Sequence, residues 1–499
     1  MESSRPAPRL TLSSWWAHLP VVLALVALCL ILHHWSAYQR LEGAAVYLVG
    51  TLAPKHQPEQ LSSGRIVALH FTPDFFASPE GFQRRLPLNR GTLAKVVDTV
   101  AQAQPTLIAL DIDAVRAGDS DAEREEARQL HQAIERALAR RIDVVAVTFP
   151  HALPITQANL DAVMALCQLD APAPRATRGR FVLASPTLQQ EGAFQVVYRV
   201  PIHPPSPDGQ ERRMAQVVAQ LMGRHGAGQA HLANLGSLCQ PDEDQTRHAL
   251  QTSAQTASHG THGGPEAVQL GHIRFLNRDE YKRLTALPIS DWDDLHTLAG
   301  DLTGRVVFIG AQSFPGLDTY LTPLGPMPGV LVHAHIANSI DQGMHASTLL
   351  STLLDIALGM LFVLVCLLIH AGHHWTQHKS SHLDRLYLLL VPMLAYTVFL
   401  FGALWLSAEV YARGLWIDPI PILVGLSLHL YVETNAASAG HATASLRAWG
   451  QETLKAWGTT LMMGRARPTT DVAILGLIRL TMLIVVGWGI YIGFIGGHH

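Results

Sequence analysis

At 499 residues the chain has room for two or three domains, and 48% hydrophobic residues with a mean hydropathy of +0.18 indicate a membrane component beside a soluble one. Its 36 basic and 39 acidic residues leave a net charge of −3, without the basic excess that nucleic-acid binding leaves in a sequence, so a nucleic-acid partner is excluded. The four cysteines show no CxxC spacing, which excludes a thioredoxin-like motif and a cysteine zinc site.

The first apolar stretch runs from Pro20 to Leu32. With Trp15-Trp16 before it and His33-His34-Trp35 after it, it is just long enough to cross a bilayer. Arg5 and Arg9 fit an uncleaved anchor or a signal peptide cut near Gly43-Ala44-Ala45; an anchor over residues 1–38 is the expectation adopted. From Arg65 onward strand and helix alternate. Ile66 to Phe71 predicts a strand, the stripe Leu93, Val96, Val97 and Val100 a helix, and Thr106 to Ile112 a second strand. Ser120 and Glu123 make a capping box for a helix with the stripe Leu130, Ile134 and Leu138. Arg136, Arg140 and Arg141 close that helix where positive charge complements the dipole, and Asp143 to Phe149 is the third strand. This βαβαβ order predicts an α/β domain with a parallel sheet covered on both faces.

The middle of the chain is less regular. Pro150 to Gly179, rich in Pro and Ala, and His225 to Gly271, polar and dotted with Gly, Ser, Thr and His, read as connections. His259 and His262 lack Cys, Asp or Glu at ligand spacing, so they read as a solvated loop and not a metal site. Gly304 and Gly310 then bracket Arg305-Val306-Val307-Phe308-Ile309, an apolar run that predicts a strand buried on both faces. A loop with Asp318, Thr322, Pro323, Pro326 and Pro328 follows. After Gly329 a helix is expected, with His333, Ile336, Ala337 and Ile340 on one face.

This strand, Asp-x-x-x-Thr-Pro loop, Met-Pro-Gly-Val and His-Ala helix resemble the CHASE2 family of extracytoplasmic sensory domains. Further family-like blocks stand upstream in order: Pro87-Leu88-Asn89-Arg90, the strand through Asp111-Ile112-Asp113, Pro207-Asp208-Gly209 with Arg212-Arg213, His272-Ile273-Arg274-Phe275, and Leu287-Pro288-Ile289-Ser290. The resemblance covers about Val46 to Gln342 and implies a sensory domain followed by three membrane spans. A typical relative would then continue into a cytoplasmic kinase or cyclase, where this sequence has another span after Pro468.

Thr348 to Ala371, Leu386 to Ala408, Leu415 to Val432 and Val472 to Ile495 are each long enough to span. Lys379 and Arg385, and then Arg447, Lys455, Arg465 and Arg467, mark the cytoplasmic loops, which places the large domain and the C-terminus outside. The expected organisation is an anchor (1–38), a periplasmic CHASE2-like domain (39–347), three inner-membrane spans (348–433), a cytoplasmic amphipathic segment (434–471) and a fifth span (472–499). In that segment Trp449 and Trp457 lie on one helical face. Gly489 and Gly493 in the fifth span form a small-xxx-small pattern, and both pairs are candidates for packing against a partner helix.

Candidate site residues are few. Asp111 and Asp113, at the C-terminal end of a parallel strand, stand where open sheets place a ligand crevice, although one capping a loop and the other solvated is the reading favoured. Asp318 reads as an Asx-type brace to Thr319 or Tyr320; with Thr322, Pro323 and Gly329 it is expected to set the geometry of the last strand-to-helix link. His333 reads as a packed core histidine. Within the membrane, Asp355 and Arg479 each cost at least ~2.5 kcal/mol at the bilayer centre, so Asp355 is expected to make a buried polar contact and Arg479 to snorkel. Cys167 and Cys239 either pair as a disulfide or stay two separate buried thiols. No catalytic motif set, cofactor or metal is expected, and the histidines at 370, 373, 374, 378 and 382 read as interfacial, not haem ligands.

The function expected is that of a membrane-anchored sensory or binding protein without its own output domain, acting through a membrane or cytoplasmic protein partner. The alternative is an accessory subunit of a larger inner-membrane envelope or bioenergetic complex. Lipid, a second copy of the chain and such a complex complete the expected partners.

Overall fold

The computed structural model describes the body between residues 65 and 341, apart from 86–87, 115–119, 149–156, 170–177, most of 187–212, 225–269, 274–283 and 312–317; outside it, short stretches between 23 and 50 and between 352 and 417 are described. Strand β1 (Ile66–Phe71) leads through the short helix α1 (Pro73–Ala77) into α2 (Arg90–Gln102), then β2 (Leu107–Asp113), α3 (Asp121–Ala139) and β3 (Asp143–Val147). Helix α4 (Gln157–Leu169) precedes β4 (Phe181–Ala184) and β5 (Arg199–Pro201), followed by α5 (Met214–Arg224), β6 (Leu270–His272) and β7 (Leu284–Ile289). Helix α6 (Trp292–Leu298), a 3-10 turn, β8 (Val306–Ala311), β9 (Thr319–Thr322), β10 (Gly325–Pro328) and α7 (Gly329–Asp341) complete the body.

Six strands form one parallel sheet in the order β4-β3-β2-β8-β1-β7. Their near-continuous apolar sequences suit a sheet covered on both faces. Val67, Leu69, Ile108, Leu110, Val307 and Ile309 point into a core roofed by α2, α3, α4 and α6. The alternate residues Ile66, Ala68, Leu107, Ala109, Val306 and Phe308 point into a second core under α5 and α7. The expected α/β class and parallel sheet are therefore present. Helix α2 starts because the Asn89 side chain accepts a hydrogen bond from Thr92 N, and α3 because Ser120 and Glu123 form the full capping box. Arg136 then ties α3 to α2 through a two-pronged contact with Asp98, at 3.0 and 2.6 Å.

Two stretches differ from expectation. Pro150 to Gly179 contains α4, because its prolines flank an Ala- and Leu-rich interior of high helix propensity whose Leu160, Val163 and Leu166 are buried. The loop after Asp318 is an antiparallel hairpin of β9 and β10. Gly325, at φ +102°, makes its turn, and prolines 326 and 328 are tolerated because the ribbon has only two strands.

The ends of the body meet. Arg65, just before β1, pairs with Asp341 at the end of α7 at 3.0 Å and donates to the Met222 carbonyl of α5 at 2.8 Å. Among the described residues no helix is long and apolar enough to cross a membrane. The expected spans are described only in pieces up to residue 417; the segment 434–471 and the fifth span, with Trp449, Trp457, Arg479, Gly489 and Gly493, lie outside the described residues. Helical residues at 352–361, 398–399 and 401–411 pack through Leu358, Phe399 and Ala403, with Ile417, and Asp355 is half-buried on the first of these helices.

Helix α7 lies against β8 at one point of close approach. A Cβ at Gly310 would sit 2.5 Å from the Val330 Cβ, so glycine is needed to let the helix down onto the sheet. Gly310→Ala is expected to destabilise the protein by roughly 1–3 kcal/mol, and adding Val330→Ala to recover part of that loss, as a double-mutant cycle by urea unfolding will show.

Candidate functional site

The connections that leave the sheet's C-terminal edge part on either side of β8. Those from β1 and β2 go to the layer of α2 and α3, whereas the one from β8 goes to α7 on the opposite face. Open sheets place their crevices at such divergences. Here Asp111 of β2 and His70 of β1 are both in register with Gly310 of β8, on strands about 4.8 Å to either side. By alternation both belong to the α5/α7 face, and Val330 fills the space above the glycine between them.

Three elements bring the remaining groups to this point. Asp318 begins the hairpin, and its carbonyl accepts the Gly329 N–H at 3.1 Å. Its carboxyl lies against Gly329 so closely that a Cβ there would meet Oδ1 at 2.6 Å. His333, one turn into α7 and 2% exposed, sets Nε2 3.1 Å from the Pro186 carbonyl and 3.8 Å from Asp111 Oδ1. A carbonyl only accepts, so Nε2 carries the proton and Nδ1 is a bare acceptor, buried without a hydrogen-bond partner among the described residues. Arg213, bridged to Ser185 beyond the end of β4, supplies the cation nearest the histidine.

The electrostatics follow from burial. The Asp111 side chain is 5% exposed; loss of water, and then the charge of Asp318, raise its pKa well above the usual carboxylate range. Burial raises Asp318 to about 7. Tyr320 of β9 is also pushed up, by burial first and then by the charges of Asp318 and Asp111. His333 falls to about 4, chiefly through burial, with the Pro186 carbonyl opposing and Arg213 reinforcing; His335, buried on the same helix, also falls to about 4. At neutral pH both histidines are therefore uncharged, and 3.8 Å is too long for a hydrogen bond, so His333 and Asp111 form no ion pair. What remains is two crowded carboxyl groups that retain a proton, facing neutral imidazole and phenol. Such a pair can hold a proton or receive a cationic group.

The structure thus brings together Asp111, Asp318, Gly329 and His333. Asp111 is neither solvated nor a loop cap, because the row Leu107, Ala109, Asp111 continues into the covered face. Asp113 is only half-buried beyond a slip in the β2–β3 ladder and stands apart. Asp318 makes no side-chain brace to Thr319 or Tyr320 among the described residues; the brace is Thr322, whose hydroxyl donates to the Gly325 carbonyl at 2.7 Å and accepts from Leu324 N at 3.2 Å. Pro323 packs on Gly50, whose Cβ would fall 2.4 Å from the Pro323 carbonyl oxygen. His333 is buried as expected of a core histidine, yet its neighbour is an acid. Sequence reading gave Arg213 only as part of the Arg212-Arg213 block and missed its place beside His333, because the contact joins elements distant in the chain. Cys167 is disulfide-bonded, and its partner lies outside the described residues, as Cys239 does.

A family model, the CHASE2 domain, matches residues 22–371. The chain belongs to that family. CHASE2 domains are extracellular sensory domains, and the match takes in the whole sheet, the acid pair and α7. No curated protein and no solved structure matches the chain. Two surface grooves of about 350 and 470 Å³ lie on the opposite helix layer, both lined by Lys95 and Trp292. Of their acids, Asp98 and Glu126 are matched by Arg136 and Arg85.

A carboxyl whose folded pKa is raised holds its proton more tightly when folded, so it stabilises the fold below that pKa and loses this as pH rises. For Asp318 the loss runs from about pH 4 to about pH 7. Asp318→Asn is therefore expected to flatten the fall of the unfolding midpoint across this window and to raise the midpoint at pH 7 by at least about 2 °C, read by thermal unfolding of the full chain in detergent.

Proposed function

We propose that the chain is a membrane-anchored, extracytoplasmic sensory protein of the CHASE2 type that acts on a partner in trans and not by catalysis. The observation that carries this reading is the Asp111–Asp318 pair: two buried acids that cost stability, placed where the sheet's connections diverge, in a domain of a sensory family. The Cys167 disulfide supports an oxidising compartment, and we pair it with Cys239. Leu394, Val398, Phe401 and Trp405, spaced by four, three and four, are each 62–65% exposed, an apolar stripe that a bilayer or a partner's helix would cover.

The competing reading, an accessory subunit of an inner-membrane assembly, draws on the same stripe and treats the domain as a docking module. Native pull-down in mild detergent separates the two. Recovery of a kinase, cyclase or transcription regulator supports the sensor, and a stoichiometric membrane complex supports the subunit. Placement is tested by reporter fusions after Gln342 and at His499. Both are expected to be active outside the cytoplasm, and cytoplasmic activity of either would overturn the topology.

A further inference from the structure

The hairpin that begins at Asp318 touches more than the acid pair. Tyr320, Leu321, Leu324 and Met327 pack against the core under α5 and α7, and Val46 and Val49, from the segment preceding the body, are buried in that same core. Gly50 of that segment meets Pro323 at the hairpin's tip, backbone against backbone. Ala408 and Tyr411 of the helical stretch 401–411 are buried in it too. The ribbon of ten residues thus joins the buried acids to Gly50, in a core that it shares with Val46, Val49, Ala408 and Tyr411.

The root of the ribbon is held by few contacts. The Asp318 carbonyl bonds Gly329 N–H and its carboxyl rests on Gly329, so the charge state of that carboxyl bears directly on where the hairpin and α7 join. Asp111 faces Asp318, Tyr320 of β9 feels both charges, and His333 of α7 stands 3.8 Å from Asp111 with Arg213 behind it, while His70 lies on the far side of β8 beyond Val330. Tyr320 and the neutral His333 add no positive charge to offset a second negative one.

We propose that Asp111 and Asp318 form a proton-operated latch on the β9–β10 hairpin, which transmits acidity outside the membrane to the segment at 42–50. With a proton on the pair, the hairpin root sits against Gly329 and its tip holds Gly50. When the proton leaves to solvent, two buried like charges repel, the root loosens, and the tip releases its hold. This deepens the sensory reading, on which it rests, by naming the proton as the stimulus.

Native-state hydrogen exchange of the full chain in detergent tests the latch, with protection factors corrected for intrinsic rates. Protection of 319–328 is expected to fall on the order of tenfold per pH unit between about pH 5 and pH 7 and to keep falling above it while Asp111 gives up its own proton, with 42–50 following it. In Asp318→Asn the step is expected to vanish, the hairpin staying protected throughout, and in Asp111→Asn to shrink, since burial alone still raises Asp318. Hairpin protection independent of pH, or a step that persists in both variants, would overturn the latch. So would a hairpin that steps while 42–50 does not, or one whose protection equals that of α2 and α3 at every pH, since it would then open only with the whole domain. Partner recovery in the pull-down is scored separately: a step lost in the variants with no partner recovered keeps the latch and removes the action in trans, and a partner recovered without any step does the reverse.

Discussion

The architecture around the candidate site depends on how closely α7 can approach β8. Gly310 gives up its side-chain space to Val330, and Gly329 gives up its own to the Asp318 carboxyl. These two contacts fix the height and the start of the helix, and so decide that His333, one turn later, reaches Asp111 on the neighbouring strand. A parallel sheet offers this arrangement only at its C-terminal edge, where the connection from β8 departs to the face opposite those of β1 and β2. The acids are consequently held by backbone geometry and not by partner charges.

Burying two acids beside each other works against folding, and the surrounding structure tolerates it because both apolar cores are otherwise complete. Elsewhere in the body several carboxylates are matched: Glu126 with Arg85, Asp98 with Arg136, Asp341 with Arg65. The contrast matters more than the acidity of any one group. Among the described residues, an interior pair that faces neutral rings stands apart from these arginine-matched acids.

Much of this was legible in the sequence where period and composition speak directly. The buried runs at Ile66, Leu107, Asp143 and Val306 and the capping box at Ser120 became strands and a helix start as read. The α4 helix was hidden because flanking prolines outweighed a short Ala-rich interior, and the hairpin because its prolines look like loop residues until its turn at Gly325 is seen. For the site, Asp111, Asp318 and His333 were each visible as residues but not as neighbours. Their meeting requires β8, distant in sequence, to insert between β1 and β2, and no local pattern encodes that insertion. Hairpin Thr322 was readable as structural because its motif is local; the fate of Asp318 was not, since its neighbours come from β2 and α7.

The Arg65–Asp341 contact has a geometric consequence. It fastens the first strand of the body to the last helix, with Met222 as a third point, so 277 residues of chain begin and end at one spot. Residues 65 and 341 thus sit side by side, as the two ends of a cassette do, and spreading them apart would first have to break this pair. Motion can still travel along a separate contact such as the hairpin tip, in the manner of a lever whose pivot is clamped while its far end is free.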